Sequence, residues 1–337
     1  PLARAIGMAA MVFGLDRTVK RPGPAHRDAR PLACAPAPRR RVGDHVTTRA
    51  MTEPDVRTDE LSGATVVVAA GRQHRPNRPA DGCPFCVGGV EAPEPYDVKA
   101  FHNRWPAMPD GRCEVVLYTP DHEATFPDLG LDGARKVVDL WAERTAALGG
   151  RPDVGYVLVF ENRGPEVGAT IDHPHGQIYA YDHVPDVPVT ELRRAGRHGC
   201  PLCPAPDPAL LVATAPGWRA WVPHASAWPY ALLLAPEAHR PDLPGLDGAG
   251  RDGLAALLVD VLGRLDRLFG APLPYMLWVH QRPTDGAPWP EAHLHVHVVS
   301  PMRGPGVQRY VAAAELGSGQ YTNPVVPEDA ASALRGA

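Results

Sequence analysis

The sequence predicts an α+β fold in which one unit occurs twice, each unit an antiparallel sheet with a helix packed on it. The first observation is a pair of C-x-x-C motifs, which begin at Cys83 and Cys200 and so lie 117 positions apart (200 minus 83). The second is that His122 and His239, which follow the motifs, are separated by the same interval. The third is that one order of elements follows each motif: strand, helix, strand and histidine-rich strand. This recurrence predicts two pseudo-repeats that form one compact protein.

The first repeat contains three predicted strands and one predicted helix. The segment CEVVLYTP, from residue 113, is rich in β-forming residues and too short for a helix. A helix is predicted around 132–148, where apolar residues recur with helical spacing. Strands are then predicted from 156 (YVLVFENRG) and from 173 (HPHGQIYAY). The buried face of the helix should contain Val137, Val138, Trp141, Thr145 and Leu148.

The second repeat follows the same plan. The segment AWPYALLLAP, from residue 227, is the predicted first strand, and a helix is predicted around 252–269. Two more strands are predicted from 275 (YMLWVHQRP) and from 293 (HLHVHVVSP). The apolar face of the helix should contain Leu254, Leu257, Leu258, Val261, Leu265 and Leu268.

Composition suggests three segments along the chain. Residues 1–50 are rich in proline and arginine and lack periodicity, which is typical of a disordered extension or of a start assigned too early. Residues 51–190 are the predicted first half, with a zinc site and a nucleophile. Residues 191–337 are the predicted second half, with a second metal site, and a family resemblance adds a sugar-phosphate segment to this half.

Charge and hydropathy exclude two classes of partner. The net charge of −4 lacks the basic excess that binds nucleic acid. No apolar run approaches the roughly 18 residues that a membrane span needs. We therefore expect a cytoplasmic protein, in which paired cysteines suit a metal ion better than disulfides.

The segment HPHGQIYAY combines features that an ordinary polar strand would not. In a strand, alternate residues face one side, so His173, His175 and Gln177 should project together. Pro174 cannot donate to a sheet ladder and Gly176 has no side chain. A solvated edge strand is the plain alternative, but the pattern favours a chemical role.

Zinc is the predicted ligand of the first C-x-x-C motif. Cys83, Cys86, His122 and His173 would form a closed tetrahedral site of two cysteines and two histidines, and His175 would lie beside it without binding the metal. The alternative is that His122 only packs in its turn.

The second half offers two competing sets of metal ligands. One set repeats the cysteine–histidine pattern of the first half. Three further histidines, His280, His295 and His297, exceed what one such site needs, so the residues alone leave both arrangements open. The repeated set consists of Cys200, Cys203, His239 and His293.

The segment FENRGPEVGAT, just before the histidine strand, is typical of a phosphate-binding turn. Gly164 and Gly168 allow backbone N–H groups to approach phosphate oxygens, and Asn162 and Thr170 add donors. A neutral imidazole facing such a pocket can attack phosphorus and hold the group covalently. A plain glycine-rich turn is the alternative, and the adjacent HPHGQ makes it less favoured.

Together, CPFC, TPDH, FENRG and HPHGQIYAY resemble the galactose-1-phosphate uridylyltransferase family, which belongs to the histidine-triad superfamily and has a duplicated fold. The resemblance runs from about residue 57 to 326. HPHGQ is close to diagnostic, because related hydrolases have a third histidine where this chain has Gln177.

The resemblance implies a ping-pong reaction. His175 is similar to the family nucleophile, which takes UMP from UDP-glucose, releases glucose 1-phosphate and passes UMP to galactose 1-phosphate. Gln177 matches the residue that binds the nucleotide phosphate, and its presence in place of histidine favours transfer over hydrolysis. The set of Cys83, Cys86, His122 and His173 matches the family zinc ligands.

The resemblance also implies substrate contacts and a homodimer, since the family's basic turn reaches the site of the neighbouring subunit. Ala314 falls where well-known relatives carry a larger contact residue, so the resemblance is weakest on the sugar side. The implied substrate-binding residues are Arg72, Arg75, Asn103, Asn162, Gly168, Thr170, Gln177, Arg309, Tyr310 and Glu315.

For the second metal ion, the family resemblance implies a different set of ligands from the one that the sequence repeat predicts. Some relatives bind iron through one glutamate and three histidines and lack the second C-x-x-C motif. This chain has both sets, so the cysteine–histidine set is expected to hold a second zinc ion, either instead of the iron ion or in addition to it. The symmetry of the repeat favours zinc, and the role is structural in either case. The implied iron ligands are Glu191, His280, His295 and His297.

The main alternative activity is that of a phosphorylase of the same superfamily, which would transfer AMP from ADP-glucose or a dinucleoside polyphosphate to phosphate. Its site chemistry would be nearly identical, and only the base and acceptor pockets would differ. A zinc-stabilised binding protein without catalysis is a third alternative, but it gives a nucleophile beside a phosphate loop no purpose.

Overall fold

A computed structural model describes residues 54–70, 72 and 82–337 of the chain. The predicted extension at 1–50 and Arg75 lie outside the described residues. None of the described helices is long and apolar enough to cross a membrane.

The described residues form thirteen strands and five helices. The strands are β1 (Asp55–Thr58), β2 (Thr65–Val68), β3 (Lys99–His102), β4 (Cys113–Leu117), β5 (Tyr156–Arg163), β6 (His175–Tyr181), β7 (Leu211–Ala215), β8 (Trp218–Trp221), β9 (Leu232–Pro236), β10 (Tyr275–His280), β11 (His295–Val299), β12 (Met302–Gly304) and β13 (Val307–Gln308). The helices are α1 (Gly130–Gly149), α2 (Asp186–His198), α3 (Gly248–Leu268), α4 (Ala313–Ser318) and α5 (Pro327–Gly336).

A nine-stranded antiparallel sheet contains both repeats. Its strand order is β3-β4-β6-β5-β10-β11-β9-β8-β7, and the repeats meet where β5 pairs with β10. The order β4-β6-β5 of the first repeat is therefore mirrored by β9-β11-β10 of the second. The predicted α+β fold with two pseudo-repeats is confirmed, and the repeats share one continuous sheet.

Helices α1 and α3 cover one face of this sheet and pack against each other. All five residues of the predicted apolar face of α1 are buried, and so are all those of α3 except Leu268, which is partly buried. The core therefore lies between the helices and one face of the sheet, which leaves the other face for the site.

Helix α2 has no counterpart among the predicted elements. It follows β6 directly and buries only Pro188 and Leu192. The boundary predicted between residues 190 and 191 falls within this helix, and the division of the chain at that point stays a prediction.

Candidate active site and metal centres

Strand β6 carries the side chains at the centre of the site. Along it, Gly176, Ile178 and Ala180 are buried against the helices, while His175 and Gln177 are half-buried on the opposite face. The strand begins at His175 and not at residue 173, because Pro174 has no N–H to donate to the ladder. His173 is fully buried just before the strand.

The first set of two cysteines and two histidines converges on one point. Cys86 Sγ lies 3.4 Å from His122 Nδ1 and 3.6 Å from His173 Nδ1. All four ligand atoms, including Cys83 Sγ, lie within 4.8 Å of one another. Zinc bonds of about 2.3 Å to sulfur and 2.0 Å to nitrogen place tetrahedral ligands about 3.5 Å apart. The donor set and its spacing therefore fit zinc.

Hydrogen bonds on the far side of His173 hold its ring in a ligating orientation. Its Nε2 lies 2.8 Å from the carbonyl of Thr119 and 2.9 Å from the hydroxyl of Tyr96. The carbonyl fixes the proton on Nε2 and leaves Nδ1 as a ligand atom. Burial lowers the pKa of His173, which favours the neutral ring that binds metal.

The second set of two cysteines and two histidines has the same geometry. Cys200 Sγ lies 3.2 Å from His293 Nδ1, and Cys203 Sγ lies 3.3 Å from His239 Nδ1. His293 Nε2 bonds the carbonyl of Pro236 at 3.1 Å, which corresponds to the Thr119 contact in the first half. Burial lowers the pKa of His293 to about 4. This set also fits zinc.

The glutamate and three histidines form a separate cluster. Oε2 of Glu191 lies 2.7 Å from His280 Nδ1 and 3.4 Å from His295 Nε2, and Oε1 lies 4.0 Å from His297 Nε2. Burial alone would raise the pKa of Glu191, but hydrogen bonds from His280 and His295 outweigh it and hold the pKa well below its usual value.

The two arrangements that competed in sequence are therefore both formed and share no ligand. The described residues contain three groups that could hold a metal ion, one in the first half and two in the second. We refer to the group of Glu191, His280, His295 and His297 as the glutamate–histidine cluster.

One contact assigns the proton of the candidate nucleophile. His175 Nδ1 lies 2.8 Å from the carbonyl oxygen of His173. A carbonyl can only accept, so Nδ1 carries the proton and Nε2 carries the lone pair. His295 repeats this contact, with Nδ1 2.7 Å from the carbonyl of His293, but its Nε2 faces Glu191.

His175 lines two cavities. One has a volume of about 610 Å³, and the other has a volume of about 390 Å³. The larger cavity brings together three of the predicted phosphate- and nucleotide-binding side chains, Asn103, Thr170 and Gln177. Asn103 Nδ2 donates to Gln177 Oε1 at 3.3 Å, which orients the glutamine amide.

Other predicted substrate contacts are placed around these cavities without lining them. Asn162 lies at the end of β5, and Gly168 ends a 3-10 turn with a φ of 83°, which favours glycine. Arg72 Nη1 donates to the carbonyl of Trp105 at 3.0 Å and to the hydroxyl of Tyr179 at 3.2 Å. Arg72 thus supports the rim of the larger cavity, which Trp105 lines.

The C-terminal candidates form a group of their own. Arg309 and Glu315 are buried and form an ion pair, and the Arg309 guanidinium lies 4.7 Å from the ring centre of Trp228. Tyr310 is 77% exposed. The described residues that line the two His175 cavities do not include these three, although the neighbouring Gln308 donates to the carbonyl of Glu166, which lines the smaller cavity.

Comparison with known proteins matches both halves of the chain. Family models described as the N-terminal and C-terminal domains of galactose-1-phosphate uridyl transferase match residues 91–185 and 208–336. Galactose-1-phosphate uridylyltransferase of Thermotoga maritima is 34% identical over 310 residues, which cover 83% of this chain and 98% of the relative. The chain belongs to the galactose-1-phosphate uridylyltransferase family. The family resemblance predicted from CPFC, TPDH, FENRG and HPHGQ is thereby confirmed.

Further matches place the chain within this family. The uridylyltransferase of Streptomyces lividans is 37% identical, with 85% of this chain and 88% of the relative covered. A solved uridylyltransferase structure matches with a TM-score of 0.76 and 29% identity over 83% of this chain and 97% of that one. An ADP-glucose phosphorylase of Arabidopsis thaliana is more distant, at 25% identity over 87% of this chain and 95% of the relative.

Sequence reasoning missed several side chains of this uridylyltransferase-family site. Phe85, Phe101 and Trp105 line the larger cavity, and the position of Phe101 and Trp105 on either side of Asn103 in sequence was a usable signal. Glu161 was also missed, although it is buried on the same side of β5 as Val157 and Val159 and lines the smaller cavity. Burial raises the pKa of Glu161 to about 7, and the Tyr275 hydroxyl donates to its Oε1 at 2.6 Å.

Proposed function

We propose that the chain transfers UMP from UDP-glucose to galactose 1-phosphate through a uridylyl group held covalently on His175. The observation that carries this proposal is the contact between His175 Nδ1 and the His173 carbonyl, which leaves a lone pair on Nε2 beside a cavity of about 610 Å³. Family membership supports the reaction class, because a relative that matches over most of the chain is a galactose-1-phosphate uridylyltransferase.

The reaction has two balanced displacements. In the first, the Nε2 lone pair forms a bond to the α-phosphorus of UDP-glucose, and glucose 1-phosphate leaves with the electrons of the broken P–O bond. In the second, a phosphate oxygen of galactose 1-phosphate attacks the same phosphorus and the N–P bond breaks. The Nδ1 proton stays hydrogen-bonded to the His173 carbonyl, which stabilises the charged ring between the steps.

The larger cavity has the groups that a nucleoside diphosphate sugar needs. Phe85, Phe101 and Trp105 provide apolar surface for a base, while Thr170 and Gln177 lie beside His175 for the phosphates. Because Asn103 occupies Oε1 of Gln177, the NH₂ group is the part left to donate to a phosphate oxygen. Such a donor stabilises charge that develops in the transition state.

We propose zinc in both sets of two cysteines and two histidines, and a divalent ion, iron or zinc, in the glutamate–histidine cluster. Each ion would hold chain segments together, the first one joining the loop at Cys83 and Cys86 to His173 and so to β6. The free thiols of the paired cysteines also suit the reducing cytoplasm, where we place the protein.

We further propose a homodimer in which Arg75, and the segment with Arg309, Tyr310 and Glu315, act on sugar phosphate across subunits. Support comes from the position of the C-terminal group, which lies outside the lining of the His175 cavities of its own chain. In a dimer, a second subunit would supply this C-terminal group to the His175 cavities.

Incubation with labelled nucleotide sugars tests the proposal. The wild-type protein should retain label from UDP-glucose and much less from ADP-glucose, and His175→Gly should retain none from either. Preferential labelling by ADP-glucose would instead support the phosphorylase alternative. Full transfer activity in His175→Gly would exclude a covalent step at this residue.

A further inference from the structure

One row of side chains crosses all nine strands of the main sheet. Directly paired residues of antiparallel strands lie on the same face, so the strand register places the whole row on the face opposite the helices. The row connects the larger His175 cavity with the glutamate–histidine cluster. In sheet order it consists of Phe101, Val115, Gln177, Phe160, Trp278, His297, Leu233, Trp221 and Leu211.

The middle of this row is aromatic and packed. The Trp278 ring stacks on the His297 ring, with centroids 4.8 Å apart and planes at 12°. On its other side Trp278 is paired in the strand register with Phe160, and Phe160 is paired with Gln177 and packs its ring edge-to-face on Tyr179 of β6, with centroids 4.7 Å apart. Paired side chains of this kind are close enough to touch.

His297 is the residue of this row that belongs to the glutamate–histidine cluster. His297 Nε2 is buried and has no hydrogen-bond partner among the described residues. A metal ion bound with Glu191, His280 and His295 would satisfy this atom and fix the ring against which Trp278 stacks.

The glutamate–histidine cluster is too far from the phosphorus to act on it directly. Gln177 and His297 are separated by three strand spacings, or about 14 Å. Any influence on the reaction therefore has to pass through packed side chains.

We propose that Trp278 is a positioning residue for the transfer reaction, which holds Phe160 and thereby Gln177 in place and is itself held by metal-bound His297. This inference rests on the proposed roles of His175 and Gln177. If so, the second repeat has exchanged a catalytic role for a supporting one. Its His295, the counterpart of His175, faces Glu191 in the metal cluster, and that cluster holds Gln177 of the first repeat in place.

A double-mutant cycle tests the proposal. Trp278→Leu should lower kcat on the order of 10-fold, as expected for a misplaced group, with KM for UDP-glucose changed less than about twofold. Trp278→Phe should restore most of kcat. Glu191→Ala should lower kcat similarly, and the double variant should be no slower than the slower single variant. Counting active sites by label retained on His175 separates these effects from loss of folded protein.

Tryptophan emission gives a second measurement that does not depend on activity. Glu191→Ala should change the emission of the protein in wild-type and Trp289→Phe backgrounds, but not in a Trp278→Phe background. Trp289 is a matched control because it lies outside the row and donates to Asp285. Glu191→Gln serves in the same way if the alanine variant fails to fold.

Two results would overturn the proposal: kcat losses that multiply in the double variant, or emission changes that persist without Trp278. Failure of the proposed function would give a different result. The wild-type protein would then take no label from UDP-glucose, but the emission of the variants could still be compared.

Discussion

The contact between His175 Nδ1 and the His173 carbonyl decides which ring nitrogen can act as a nucleophile. The same strand then places Gln177 two residues further on the same face, where its amide meets Asn103. At this scale the alternation of HPHGQ in sequence was enough to predict that His175 and Gln177 share one face of a strand. The proton on Nδ1 was not predictable, because it depends on the turn that places the carbonyl.

Gln177→His tests why this site should transfer and not hydrolyse. A histidine at this position can donate a proton where glutamine cannot, so we expect faster release of UMP from UDP-glucose when no sugar phosphate is present. The measurement is UMP formation without acceptor. Gln177→Ala is the control and should slow both transfer and hydrolysis on the order of 10²-fold. Unchanged UMP release in the histidine variant would contradict this account.

Glu161 should make stability depend on pH. Burial raises its pKa from 4.5 to about 7, so the folded chain keeps a proton that the unfolded chain gives up between these values. The free energy of unfolding, relative to that of the Glu161→Gln variant, should therefore fall by about 3 kcal/mol as pH rises from about 4.5 to 7. Above about pH 7 the difference should level off. Urea unfolding of both proteins between about pH 5 and pH 8 measures this. A pH-independent difference would show that the folded pKa is not raised.

At the level of elements, local periodicity was sufficient for α1 and α3 and insufficient for α2. The faces of α1 and α3 repeat apolar residues over several turns, whereas α2 buries only Pro188 and Leu192. Because periodicity did not predict α2, only the family resemblance indicated before the structure that Glu191 approaches His280. The two metal arrangements of the second half therefore remained alternatives until the helix was placed.

Metal content should reflect three independent groups. The purified protein should contain about three divalent ions per chain, since each group has four converging ligands. Cys200→Ser and Glu191→Ala should each remove one ion and lower Tm, and together they should remove two. Elemental analysis with thermal unfolding measures both. Loss of two ions from either single variant would contradict separate sites.

At the scale of the whole molecule, the continuous sheet brings the two repeats together, but Arg309 and Glu315 are not among the residues that line the His175 cavities. Their assignment to sugar phosphate came from resemblance alone. A sequence shows which residues a site uses more readily than which subunit supplies them, because the latter depends on assembly.

Mixed dimers test whether the site is shared. A dimer of one His175→Gly subunit and one Arg75→Ala subunit should contain one intact site if the arginine acts across the interface, and should have about half the wild-type activity. A dimer of His175→Gly and Gln177→Ala is the control and should stay inactive, since both residues lie on β6. Equal inactivity of both mixtures would contradict a shared site.

The most direct test of the central claim is the mass of the protein after exposure to UDP-glucose. We expect a gain of one UMP, mapped to the peptide that contains His175, and its loss when galactose 1-phosphate is added. A UMP adduct on another residue, or an adduct that galactose 1-phosphate does not remove, would contradict the proposed mechanism.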